Sequence, residues 1–129
     1  MRTKIINAKI YDTAKRTFYE GSVTMEDGVI LSTGPAPHPC GQVIDAKGYL
    51  LIPGLVDVHT HGRAGGDFAT ADVETLKGML RSYFNAGVTT VMPTLASDTI
   101  ENWLAAIARI KSIKASKDRA RCIGLHLEG

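Results

Sequence analysis

Hydrophobic residues in the first half of the chain fall in short runs separated by turn residues, a pattern typical of β-strands. From Lys4 to Tyr11, the apolar residues Ile6 and Ile10 recur among polar ones. The pair Asp27-Gly28 lies between two further runs and suits a hairpin turn that needs positive φ angles. The strands predicted in this part are 4–11, 22–26, 29–33, 43–46 and 49–52. Residues 1–52 are therefore predicted to form an all-β segment.

From Pro53 onward, strand-like and helix-like runs alternate. The predicted strands are 55–61, 88–92 and 122–128, and the predicted helices are 72–86 and a second one starting near 97–98. Pro93 is expected to end the middle strand, and Asp98 with Glu101 matches a capping box. The expected apolar face of the second helix is Ile100, Trp103, Leu104, Ile107 and Ile110. This order predicts parallel βαβ units, in a barrel or an open sheet, with a site at the carboxyl ends of the strands.

Two histidines end the first of these strands. Side chains alternate across a strand, so Asp57, His59 and His61 share one face. Imidazoles two residues apart can converge on one cation, and imidazole suits zinc and other transition metals. The glycine-rich segment 62–66 is expected to be a flexible loop able to approach a substrate. For Asp57, pinning of a loop or of backbone amides is the preferred interpretation over catalysis.

The third strand repeats the arrangement, because His126 and Glu128 share one face. Glu128, which precedes a glycine, is either a metal ligand or a solvated end residue, and a neighbouring histidine pair favours the ligand. For His126, one pleat deeper, support of a ligand or packing is preferred over ligation. The predicted metal ligands are His59, His61 and Glu128.

Composition narrows the class of protein. The 129 residues are 44% hydrophobic, enough for a core, and 15 basic against 13 acidic residues give a net charge of +2. The sequence has no block of like charges, no long apolar run and no signal-peptide pattern, so no nucleic acid or membrane partner and a cytoplasmic location are expected. Cys40 and Cys122 are interpreted as ordinary thiols, and His38, in a proline-rich segment, as a surface residue.

The segment Pro53 to His61 resembles the opening strand signature of the amidohydrolase superfamily. The segments 61–68, 87–94 and 124–129 narrow the resemblance to the N-acetylglucosamine-6-phosphate deacetylase family. The first signature is shared with dihydroorotases and hydantoinases, whereas the last is more specific to the deacetylases. The resemblance implies that residues 53–129 begin a (β/α)8 barrel of the TIM type, and that residues 1–52 contribute to a small flanking β-sandwich.

In that family, the glutamate matching Glu128 is the primary metal ligand, completed by histidines from later strands. The pair His59 and His61 implies a second metal position, so one or two divalent ions are expected, zinc first and iron, manganese or cobalt as alternatives. The implied reaction is hydrolysis of the acetamide of N-acetylglucosamine 6-phosphate, an amino-sugar phosphate, to glucosamine 6-phosphate and acetate. The resemblance also implies a homodimer for the complete protein.

The resemblance further implies that this chain is an N-terminal fragment with an incomplete site. The family's acid/base aspartate and most sugar-phosphate contacts belong to later strands, so no catalytic residue is assigned within the chain. Three strands of an eight-stranded barrel leave open edges, and the fragment alone is expected to be inactive. Two alternatives stay open: another amidohydrolase, either a cyclic-amide hydrolase or an N-acyl deacylase, and a non-catalytic scaffold with the same fold.

Overall fold

The computed structural model describes residues 1–34 and 39–129. His38, predicted to be a surface residue, lies outside the described residues. The chain divides into two compact units, Met1–Pro53 and Gly54–Gly129.

The first unit is a five-stranded mixed sheet. Its strands are β1 Arg2–Asp12, β2 Thr17–Glu26, β3 Val29–Thr33, β4 Gln42–Asp45 and β5 Leu50–Leu51. The order is β3-β2-β1-β4, with β5 also paired to β1. The first three strands pair antiparallel, whereas β4 and β5 both run parallel to β1. The predicted all-β character of this part of the chain is confirmed.

The hairpin turn between β2 and β3 is confirmed by its backbone angles. Asp27 has a φ of 51° and Gly28 a φ of 82°, the positive values that such a turn requires. The N-terminal half of β2, from Thr17 to Gly21, was not predicted. This half of the strand pairs with the end of β1. Its aromatic side chains Phe18 and Tyr19 are exposed, so it lacks the alternation of buried and exposed residues used to predict the other strands.

The second unit is a parallel sheet with two helices. Its elements are β6 Leu55–Thr60, β7 Gly62–Arg63, β8 Gly66–Asp67, α1 Val73–Asn85, β9 Val88–Leu95, α2 Ile100–Lys111, β10 Arg121–Cys122 and β11 His126–Leu127. Strand β9 is central, with β6, β10 and β11 all pairing parallel to it. The strand, helix, strand, helix, strand order is confirmed. Neither helix in the described part of the chain is long and apolar enough to span a bilayer.

A single core holds the second unit together. Its buried members come from both helices, from β9 and from the connecting segments: Phe68, Leu76, Met79, Leu80, Tyr83, Val91, Leu95, Ala106, Ile110 and Ala120. Helix α1 begins at the predicted place because the Asp72 carboxylate accepts a hydrogen bond from the Thr75 amide. This hydrogen bond lowers the pKa of Asp72. Gly87 follows the helix with a φ of 85°.

Three details of the second unit differ from prediction. Pro93 lies inside β9 and not at its end. The pairing between β6 and β9 is irregular at this point, so a residue without a backbone N–H is tolerated there. The cap of α2 is Thr99, whose side chain accepts from the Asn102 amide, so the capping box with Asp98 is wrong by one residue. The third predicted strand is broken into β10 and β11, which pair with different parts of β9.

The predicted apolar face of α2 is only partly correct. Trp103, Ile107 and Ile110 pack on the core, but Ile100 is 67% and Leu104 is 61% exposed. Ala106 is buried in their place. Because apolar residues cover more than one stripe of this helix, spacing alone could not identify the buried stripe.

Candidate metal centre

The three predicted metal ligands come together at the carboxyl ends of β6 and β11. His59 lies near the end of β6, His61 directly follows that strand, and Glu128 directly follows β11. His59 Nε2 is 3.2 Å from one Glu128 carboxylate oxygen, and His61 Nε2 is 3.2 Å from the other. One ligand atom from each residue lies within 4.8 Å of the other two. The pleat alternation that placed both imidazoles on one side of the strand therefore agrees with their observed positions.

The geometry of these three side chains fits a divalent metal. Two ligands that each lie about 2.1 Å from a tetrahedral zinc are roughly 3.4 Å apart, close to the separations between the nitrogens and oxygens here. The donor set of two imidazoles and a carboxylate is typical of zinc and of other transition metals. The three side chains are between 44% and 51% exposed, so the group is open to a small molecule on one side.

His126 and Asp57 border the three residues without joining them. The His126 ring meets the His59 ring edge to face at a centroid distance of 4.6 Å, and its Nδ1 lies 3.3 Å from the Thr94 hydroxyl. Asp57 accepts a hydrogen bond of 3.2 Å from the His59 backbone amide. Both contacts agree with the supporting roles preferred for these residues over ligation and catalysis.

The segment after His61, which was expected to be a flexible loop, is a tight hairpin. Strands β7 and β8 pair antiparallel across a turn at Ala64 and Gly65, whose φ angles are 55° and 82°. A side chain at Gly62 would lie 2.0 Å from the Gly66 carbonyl oxygen, so this close approach requires glycine. The glycines therefore serve tight packing beside His61, a use that composition alone does not distinguish from flexibility.

Two hydroxyl groups near the site were not singled out from the sequence. Tyr83 lies within the predicted helix 72–86, and its hydroxyl contacts Thr60 Oγ1 and the Gly62 carbonyl. Thr94 is 1% exposed, and its hydroxyl accepts from the Thr60 amide. The available signal was a tyrosine on a buried helix face, since a buried phenol needs a polar partner. No comparable signal marks Thr94.

The cysteines are not part of the candidate metal centre. Neither Cys40 nor Cys122 belongs to the group of potential metal ligands found among the described residues. Burial raises the pKa of the Cys122 thiol to about 11, so this thiol is protonated at neutral pH.

Comparison with known proteins gives relatives but no family model that matches the chain. An N-acetylglucosamine-6-phosphate deacetylase from Bacillus subtilis is 30% identical over 124 residues, which are 91% of this chain and 31% of that protein. A dihydroorotase from Anaplasma phagocytophilum is 32% identical over 132 residues, or 96% of this chain and 28% of that protein. The homologues of this chain are amidohydrolases.

Solved structures of amidohydrolases share this fold. An N-acetylglucosamine-6-phosphate deacetylase from Pasteurella multocida superposes with a TM-score of 0.83 at 28% identity, covering 100% of this chain and 34% of its own. An N-acyl-D-glutamate deacylase from Bordetella bronchiseptica, complexed with zinc, has a TM-score of 0.52 at 26% identity, covering 70% of this chain and 18% of its own. The mixed α/β chain matches the N-terminal part of these hydrolases and spans about a third of the first two deacetylases.

Proposed function

We propose that the complete protein carrying this chain is a metal-dependent N-acetylglucosamine-6-phosphate deacetylase. The observation that carries the proposal is the convergence of His59, His61 and Glu128 from two strand ends onto one point. It is supported by relatives of that name in both sequence and structure. The proposed metal ligands are these three residues, with zinc as the first choice and iron, manganese or cobalt as alternatives, in one or two positions.

The proposed chemistry is amide hydrolysis. A divalent metal in such a site activates a water molecule and polarises the amide carbonyl. The residues of this chain would hold and orient that ion: His59 and His61 present ring nitrogens from one side, and Glu128 presents a carboxylate between them. The open side of the group would admit the acetamide of N-acetylglucosamine 6-phosphate. Proton delivery to the leaving amine would come from an aspartate elsewhere in the complete protein.

The proposal extends to the architecture of the complete protein. The parallel unit would open a (β/α)8 barrel, and the first unit would belong to a flanking β-sandwich. Exposed apolar residues on β6 support this, because Leu55, Val56 and Val58 are each more than half exposed and would suit burial by further elements. A homodimer is proposed for the complete protein. The 129 residues alone should therefore show no turnover.

A second candidate is a cyclic-amide hydrolase. Its support is the dihydroorotase from Anaplasma phagocytophilum, which is as similar to this chain as the deacetylase from Bacillus subtilis. Both reactions hydrolyse an amide bond and would use a metal ion held by the same three proposed ligands, so these ligands do not distinguish them.

The test is a substrate panel with the complete, metal-loaded protein. The substrates are N-acetylglucosamine 6-phosphate, dihydroorotate, a hydantoin and an N-acetylated amino acid, and the readouts are acetate release and ring opening. Acetate release from the sugar phosphate, lost in Glu128→Gln, would support the proposal. Turnover of dihydroorotate or hydantoin alone would favour the second candidate. A protein without bound metal and without activity would favour a scaffold.

A further inference from the structure

The backbone that carries His61 is poorly held by regular strand pairing. The β6–β9 register shifts between Asp57 and Thr60, and the partner of Thr60 is Pro93, which has no amide hydrogen to donate. His61 itself lies beyond the end of β6. An imidazole on an unpaired strand end can take several positions, so other contacts have to fix this segment if it is to bind a metal.

Those contacts come from hydroxyl groups on neighbouring elements. The Thr60 amide donates 3.0 Å to the Thr94 hydroxyl in place of a ladder bond. The Tyr83 hydroxyl donates 2.9 Å to the Gly62 carbonyl and contacts Thr60 Oγ1, so it touches the residues on both sides of His61. Because a carbonyl only accepts, the phenol proton points to Gly62, and the Thr60 hydroxyl donates to the phenol oxygen.

Tyr83 is itself fixed by its surroundings. It is 3% exposed on α1, and its ring lies nearly parallel to that of Phe68 at 6.3 Å. The Phe68 amide in turn donates 2.8 Å to the His61 carbonyl. The Arg63 guanidinium lies 5.3 Å from the Tyr83 ring centroid. Burial raises the pKa of the Tyr83 hydroxyl, which keeps it a proton donor.

We infer that Tyr83 is a positioning residue for the metal centre: its hydroxyl clamps Thr60 and Gly62 and so sets the direction of the His61 imidazole. The inference rests on the proposed function, since it requires His61 to be a ligand. The hydrogen bonds of the Tyr83 hydroxyl go to Thr60 and Gly62 and not to a proposed metal ligand. Its effect would pass through the backbone on either side of His61, so it should alter metal affinity and coordination geometry.

The test compares Tyr83→Phe with wild type in the complete protein. Affinities for Zn²⁺ and Co²⁺ are measured by competition with a chelator, and the Co²⁺ absorption bands report coordination geometry. Tyr83→Phe keeps the ring packing, and we expect its metal affinity to fall by about tenfold, the lower end of the range for groups that support a ligand, with shifted Co²⁺ bands. Tyr11→Phe, which removes the same atom in the first unit, is the matched control and should bind like wild type.

A second pair of variants keeps the test decisive if Tyr83→Phe fails to fold. Thr60→Val removes the other hydroxyl of the clamp, and we expect a smaller loss of affinity, whereas Thr60→Ser keeps the hydroxyl and should retain wild-type affinity. Unchanged affinity and Co²⁺ bands in Tyr83→Phe, or in Thr60→Val where Tyr83→Phe does not fold, would overturn the inference and leave the proposed function intact. A wild-type protein that binds neither metal would overturn both.

Discussion

The two strand ends that build the candidate metal centre are held by different means. At the end of β11 the ladder with β9 is regular: His126 pairs with Thr94, Leu127 pairs with Leu95, and the Glu128 amide donates 2.9 Å to the Leu95 carbonyl. At the end of β6 the register slips, and side-chain hydroxyls replace backbone partners: the Thr94 hydroxyl accepts from the Thr60 amide, and the Tyr83 hydroxyl donates to the Gly62 carbonyl. Glu128 is thus placed by the sheet, and His61 by tertiary contacts.

Because of this difference, the side-chain position at the end of β11 can be predicted from the local sequence, whereas the one at the end of β6 cannot. A regular ladder fixes the direction of each side chain through the pleat, so the position of Glu128 follows from residue order alone. A hydroxyl that replaces a ladder bond comes from an element distant in sequence, 23 residues away for Tyr83 and 34 for Thr94. If the two ends differ in energy as they do in structure, substitutions at the two ends should have unequal effects on metal binding and stability.

The largest effect is expected at the regularly paired end. In Glu128→Gln the side chain keeps its shape but loses the charge that lies between the two imidazoles. We expect the complete protein to lose Zn²⁺ affinity by more than about 100-fold, above the 10–100-fold typical of groups that only support a ligand. Chelator competition measures this. Glu74→Gln, the same change on the exposed surface of α1, is the control, and equal affinities in the two variants would contradict the role of Glu128.

The contrast between local rules and tertiary contacts also explains which features could be predicted from the sequence. The Asp27-Gly28 turn, helix α1 and the shared face of His59 and His61 follow from local rules of turn chemistry, helical period and strand alternation. The meeting of that pair with Glu128 also requires β6 and β11 to pair with the same strand, β9. The position of Pro93 inside β9, the break between β10 and β11 and the buried stripe of α2 depend on which neighbours each element meets. The hydroxyls of Tyr83 and Thr94 belong to this second group, since a polar atom in a core is assigned only when its partner is known.

An intermediate effect is expected where one hydroxyl serves both strand ends. Thr94 Oγ1 accepts from the Thr60 amide and lies 3.3 Å from His126 Nδ1. Thr94→Val keeps the shape of the side chain but leaves a partly buried amide without this acceptor, which should lower the free energy of unfolding by about 1–3 kcal/mol. Urea denaturation of the metal-free complete protein is the measurement.

Two further substitutions at β9 make the result for Thr94 specific. Thr94→Ser retains the hydroxyl and should recover most of the lost stability. Thr90→Val makes the same chemical change in the same strand, away from the Thr60 amide, and should cost less. If Thr90→Val and Thr94→Val were equally destabilising, the hydroxyl at Thr94 would have no special part in holding β6.

The smallest effect is expected at His126. The size of this effect shows whether the end of β11 supplies one metal ligand or two. His126 contacts the His59 ring by its edge and is absent from the group of atoms that can share an ion among the described residues. His126→Gln should therefore lower Zn²⁺ affinity by less than about tenfold, below the range for groups that hydrogen-bond a ligand. His59→Gln, the same substitution at a proposed ligand, should cost considerably more in the same titration. Equal losses would mean that His126 binds the ion directly, and the pleat argument that places it one step too deep would then be wrong.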